Sequence, residues 1–208
     1  MNITGETKFF IGVAILSIVI LIAGAFLFSK PETIIPREDL VAADSVSKGA
    51  TESATYLVEF SDFQCPSCKA VAPLVDALVA QYGDQLRFVY RHFPLDQHPF
   101  AEISARAAEA AGMQGKFWEM HALLFENQER LSEDVINELA QSLALDMDQF
   151  ALDLDSAQLK DKVQRDRSLG LRLGVNSTPT FFLNGKKLQL NSLNDITTIV
   201  AAELEKTQ

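Results

Sequence analysis

The chain has 208 residues, 48% of them hydrophobic, and a formal net charge of −10. That suits one ordinary domain with a real core plus an appendage. The acidic balance excludes a nucleic-acid binder, which needs a basic face, and no repeat of solenoid period is present.

The N-terminus is apolar. "FFIGVAILSIVILIAGAFLFS", residues 9–29, holds no charge, and about 20 apolar residues are what a helix needs to cross a bilayer core. This predicts an uncleaved transmembrane anchor after a short tail (1–8). A cleaved signal peptide is the competing reading, but Ala23-Gly24-Ala25 is followed by more apolar sequence. Lys8 precedes the span and Lys30 and Arg37 follow it, so the positive-inside rule gives no orientation. Residues 30–52, with two prolines and mixed charges, read as a linker with a short ordered piece near Leu40.

"TYLVEF" then reads as a strand. Pro66 sits where a helix begins, and Val71, Leu74, Val75, Leu78, Val79 and Tyr82 follow at helical spacing. "LRFVYRHF" is a second strand, and its connection through one helix makes the pair parallel. Helices follow around Phe100–Gly112 and Phe117–Phe125, then from N-caps at Ser132, Asp146 and Ser156. "TFFL" restores strand character, Asn184-Gly185 marks a hairpin, "KKLQL" returns antiparallel, and Ser192 caps a last helix. The order βαβ, helices, ββα predicts a mixed α/β sheet of about four strands with a helical insertion.

Two cysteines, Cys65 and Cys68, are the only thiols in the chain. They stand in "EFSDFQCPSCKA", where the first strand gives way to the first helix. A helix N-terminus carries unsatisfied N–H groups and the positive end of the macrodipole, so a Cys65 thiolate is stabilised, and Pro66 fits the first turn. Cys68, one turn in, is shielded. The pair reads as an exposed nucleophile beside a buried resolving thiol. Half of a zinc site looks the same, but structural zinc wants four ligands, and His92, His98 and His121 show no ligand spacing. An inert structural bridge is the other plain alternative, although so small a loop constrains an unfolded chain little. Thr178-Pro179 precedes the returning strand, where a proline needs no special reason. Glu59 either faces solvent or, if buried, has a raised pKa and exchanges protons with Cys68.

These features together resemble the DsbA-like thiol–disulfide oxidoreductases of the thioredoxin superfamily, in "EFSDFQCPSC", "YRHFPL", "HPFA", "GKFWEMHALLF" and "GVNSTPTFFLNG". The resemblance covers about residues 53–205. It implies a thioredoxin-like fold over 53–208 with the insertion at about 98–173. It implies catalytic roles for Cys65 (nucleophile), Cys68 (resolving), Glu59 (acid beneath the site) and Pro179 (cis, facing the pair), with Pro66, Ser67 and Thr178 meeting substrate. No metal and no cofactor beyond the Cys65–Cys68 redox disulfide are implied. Ser67 stands where a well-known oxidant of the family has histidine, and Thr178 where it has valine. A Cys65 pKa between roughly 3.5 and 7 is therefore expected. The implied activity is the introduction of disulfides into exported cysteine-containing proteins by a monomeric, membrane-anchored, extracytoplasmic enzyme. A membrane quinone-linked enzyme of DsbB or vitamin-K-epoxide-reductase type would reoxidise it. A reductase or isomerase, or a thioredoxin-like binding or metal-handling module without turnover, is the alternative.

Overall fold

A computed structural model describes residues 5–28 and 34–206 of the chain, with the backbone alone at 6–9 and 22–28. Residues 1–4 of the expected tail, Ser29 of the expected span and residues 30–33 of the expected linker lie outside it. The chain divides into two units, residues 1–33 and 34–208.

In the first unit, α1 (Gly5–Phe28) is a helix of 24 residues. Ile15, Leu16, Ile18, Val19, Ile20 and Leu21 on it are all exposed. Counted over the residues with described side chains, no helix is long and apolar enough to cross a membrane.

The second unit runs α2 (Arg37–Leu40), β1 (Val46–Gly49), β2 (Thr55–Ser61), α3 (Pro66–Tyr82), β3 (Leu86–His92) and α4 (Ala101–Met113). It continues through α5 (Phe117–Glu126), α6 (Glu133–Ser142), α7 (Met147–Asp155), α8 (Ala157–Arg172), β4 (Thr180–Leu183), β5 (Lys186–Lys187) and α9 (Asp195–Glu205). The sheet order is β1-β3-β2-β4-β5. β2 and β3 are parallel, and the other pairs are antiparallel. This is a thioredoxin-like α/β fold with α4–α8 inserted between β3 and β4.

β2 is central and buried throughout, and its alternation separates two cores. Leu57 faces the larger core under α3, α9 and much of the insertion. Tyr56, Val58 and Phe60 face a smaller one with Leu40, Val89, Phe93 and Phe182. α8 closes on this second face at Gly170, where a Cβ would come within 2.6 Å of the Phe93 ring. At the hairpin, Asn184 and Gly185 have φ of 49° and 85°, the left-handed pair a two-residue turn requires. The Asn184 side chain also accepts from the Tyr56 amide at 3.0 Å.

The structure corrects three expectations. The sheet has five strands, because the linker supplies one: β1 pairs with β3 from Val46↔Tyr90 to Gly49↔Arg87. The folded unit therefore starts near Ile34 rather than residue 53. "VSKG" carries no apolar alternation because it is an edge strand of four residues, where a lysine is at home. Leu40, fully buried, docks the preceding turn, and its carbonyl accepts from the Arg91 guanidinium at 3.0 and 3.1 Å. At the last helix the N-cap is Asn194. Ser192 does not cap it: its hydroxyl donates to the Asp195 carboxylate, which also accepts from the Asn191 and Ser192 amides in the loop before the helix. The caps at Ser132, Asp146 and Ser156 form as expected, each side chain accepting from the amide three residues on.

Candidate active site

Cys65 is the N-cap of α3, in extended conformation, and Pro66 is the first helical residue. The loop before it is held at almost every polar group. Asp62, whose side chain is fully shielded, accepts from the Gln64 amide at 2.7 Å and the Leu95 amide at 2.8 Å. It also pairs with His98 Nδ1 at 2.7 Å. Gln128, from the turn after α5, donates to the Phe63 and Cys65 carbonyls at 2.7 and 3.0 Å. The insertion thus grips the loop that presents the cysteine.

Both cysteines are free thiols, so this is the dithiol state. Cys65 retains 7% exposure and Cys68 none. The expected exposed nucleophile is nearly covered, because the 178–179 loop folds over it: the Cys65 thiol donates to the Thr178 carbonyl at 3.2 Å. The Thr178–Pro179 peptide is cis. Pro66 and Ser67 are exposed, and Thr178 and Pro179 half-buried. A groove of about 520 Å³ runs beside Pro179, lined by Ser177, Thr180, Lys187, Gln189 and Asn191 among others. A cavity of similar size, about 540 Å³, lies among Asp39, Asp44, Arg91, Arg165 and Asp166 and touches none of the expected site residues.

The two sulfurs differ in electrostatics. The Cys68 thiol, the Thr178 hydroxyl and the backbone amides of Cys68 and Ser67 favour a Cys65 thiolate over the cost of burial, and hold its pKa at about 5. None of these groups is a cation. Cys68 is pushed well up by burial, then by Cys65 and Glu59, so the pair keeps its proton on Cys68 and its charge on Cys65. Glu59 is 3% exposed. Burial raises its pKa to about 8, against a smaller lowering by Ser61, with Cys65 and Asp76 raising it further and Lys48 opposing them. The solvent-facing alternative for Glu59 is excluded. His121 is neutral: burial, then Lys48 and His92, lower its pKa to about 3. Its ring packs edge-on to Phe63, Tyr90 and Phe125. Among the described residues no group of three or more His, Cys, Asp or Glu side chains is placed to hold a metal ion.

The structure thus brings all seven sequence-selected residues to one end of the sheet and adds others. Ser61 lies two residues after Glu59 on the same strand face, and Tyr90 is Glu59's partner across β2 and β3. The hydroxyls of both are buried and make no hydrogen bond of standard geometry. Ser61 was legible from the period of a strand; Tyr90 needed the register, and Gln128 had no local signal at all.

A sequence family described as Thioredoxin matches residues 42–202 of the chain. The chain is 40% identical over 141 residues to "Na(+)/H(+) antiporter NhaA 3" of Salinispora tropica, an alignment covering 67% of this chain and 22% of that protein. It therefore spans about a fifth of the length of the curated relatives it matches. A thioredoxin-like oxidoreductase from Silicibacter pomeroyi DSS-3 superposes with a TM-score of 0.71 at 26% identity, over 82% of this chain and 98% of that one. The thiol-disulfide exchange protein alpha-DsbA2 from Wolbachia pipientis superposes with a TM-score of 0.72 at 19% identity, over 80% and 91%.

Proposed function

This chain belongs to the thioredoxin family, and from that premise we propose that it is a thiol–disulfide oxidoreductase that oxidises exported proteins. The observation that carries the reading is the division of charge between the two thiols. A thiolate near pKa 5 at the start of α3 stands against a shielded thiol held protonated beneath it.

The cycle starts from the Cys65–Cys68 disulfide. A substrate thiolate attacks Cys65 Sγ, a substrate–Cys65 disulfide forms, the Cys65–Cys68 bond breaks, and its electron pair leaves on Cys68 with a proton to follow. A second substrate thiolate then attacks the substrate sulfur, and Cys65 departs as thiolate. A low pKa makes Cys65 a good leaving group and drives electrons onto the enzyme. Glu59, neutral below about pH 8, supplies the proton to Cys68. Pro66, Ser67, Thr178 and Pro179 frame the sulfur, and the groove beside Pro179 accommodates extended substrate.

A membrane quinone-linked enzyme of DsbB or vitamin-K-epoxide-reductase type is the proposed reoxidant. The enzyme acts as a monomer on the extracytoplasmic side, anchored by residues 9–29. The charge-free run 9–29 and the exposed apolar side chains of α1 support the anchor, which resistance to alkaline carbonate extraction would test.

The asymmetry of the thiols supplies the main test. Cys68→Ser should accumulate reductant-sensitive mixed disulfides with exported proteins on a non-reducing gel, after thiols are blocked at lysis. Cys65→Ser should trap none and lose oxidase activity. Equal trapping by both, or by neither, would overturn the assignment. A reductase is the second reading, since Ser67 brings no charge to the thiolate, and an equilibrium potential near that of thioredoxin, about −270 mV, would favour it.

A further inference from the structure

Three side chains with buried polar groups lie beneath Cys68. Glu59 and Ser61 are alternate residues of β2 and share the face covered by α3. Tyr90 stands opposite Glu59 on β3, its ring stacked on Phe63 at 5.6 Å. Cys68, on α3, is fully buried above this face. The Ser61 hydroxyl is shut away from solvent without a hydrogen-bond partner of standard geometry, an arrangement that needs a reason in a folded protein. Yet it lies close enough to the Glu59 carboxyl, the Cys68 sulfur and the Tyr90 phenol to favour the charged form of each.

A serine hydroxyl donates one hydrogen bond, accepts two and rotates freely. It can accept from a protonated carboxyl while donating to a sulfur anion. We propose that Ser61 is a further catalytic residue of this site, its hydroxyl carrying a proton between the Glu59 carboxyl and the Cys68 sulfur. When the Cys65–Cys68 bond breaks and its electron pair leaves on Cys68, the Ser61 proton passes to that sulfur. Glu59's proton passes to Ser61 Oγ, and the carboxylate left behind regains a proton from solvent. No external oxidant or reductant enters the step. The proposal rests on the thiol–disulfide exchange reading.

Among the described residues, the other charged or titratable groups facing the cluster include Lys48 on β1, Asp62 just after β2, Cys65 at the start of α3 and Asp76 on it, His92 on β3 and His121 on α5. All are common to the wild type and the variants below, so a difference between variants isolates the hydroxyl.

The test is the rate at which glutathione attacks the oxidised full-length protein in detergent micelles, acid-quenched from pH 5 to 9.5. Ser61→Ala should slow the step about tenfold at pH 6–7, less than the roughly hundredfold or more that losing a positioned proton donor outright costs, because the carboxyl remains. It should converge on the wild type above pH 9, where Glu59 is ionised and has no proton to give. Ser61→Thr, which keeps the hydroxyl, should restore most of the rate. The double variant Glu59→Gln with Ser61→Ala should be no slower than Glu59→Gln alone. Alkylation of reduced Cys65 by iodoacetamide should be unchanged. A wild-type profile in Ser61→Ala would overturn the proposal, as would equal slowing by alanine and threonine, which would mark a packing effect. A wild-type protein that does not react with glutathione would instead overturn the exchange reading, and the relay with it.

Discussion

At the scale of single residues, the site is built from one expensive group and its neighbours. Glu59 is a carboxyl in a core, and its folded pKa of about 8 lies above the 4.5 of an unhindered glutamate. Between those values the folded protein holds a proton that the unfolded chain has released, so stability falls as pH rises through the window. Below 4.5 both states are protonated and the effect vanishes. Urea melts of reduced wild type and Glu59→Gln should therefore diverge from pH 5 to pH 8. The wild type should lose on the order of a few kcal/mol relative to the variant. Parallel pH dependences would mean that Glu59 is solvated. The residue types were legible in "EFSDFQCPSC", but whether Glu59 faced water or core was not, because alternation identifies a strand's faces without saying what covers them.

At the scale of elements, the segment before β2 departs most from its sequence. Proline, charge and small residues made 30–52 look like a tether, yet α2 and β1 belong to the sheet's architecture. Their contribution comes from partners distant in sequence. Arg91 ties down the Leu40 carbonyl while its guanidinium also pairs with the buried Asp166. Lys48 sits 4.1 Å from the Trp118 ring centroid. Leu40→Ala should thus cost about 2–4 kcal/mol in a denaturant melt, the price of a large buried side chain cut to a methyl. A tether would show no change. By contrast, α3 and the caps of α6, α7 and α8 were readable because each depends on residues within one or two turns.

At the scale of the whole molecule, redox state and fold stability are coupled. The Cys65 thiolate is favoured in the folded dithiol form, with a pKa near 5 against about 9 when unhindered. Its stabilising effect is complete above the unfolded value and is lost as pH falls through 5. The oxidised protein has no thiolate and gains nothing. At pH 7 the reduced protein should have the higher urea midpoint, by on the order of 2 kcal/mol, and the gap should close on titration toward pH 4. An oxidised form that melts later at pH 7 would point to a reductant or a structural bridge.

The paired thiols at a strand–helix junction, the hairpin at Asn184-Gly185, the insertion and the alternation of β2 could be read along the chain, because neighbouring residues carry those signals. The burial of Glu59, the cover of Thr178 over Cys65, the closing of the sheet by β1 and the meeting of Ser61 and Tyr90 beneath Cys68 emerge from the folded chain alone. Each of these depends on which surfaces pack together, and packing joins residues that the chain keeps far apart.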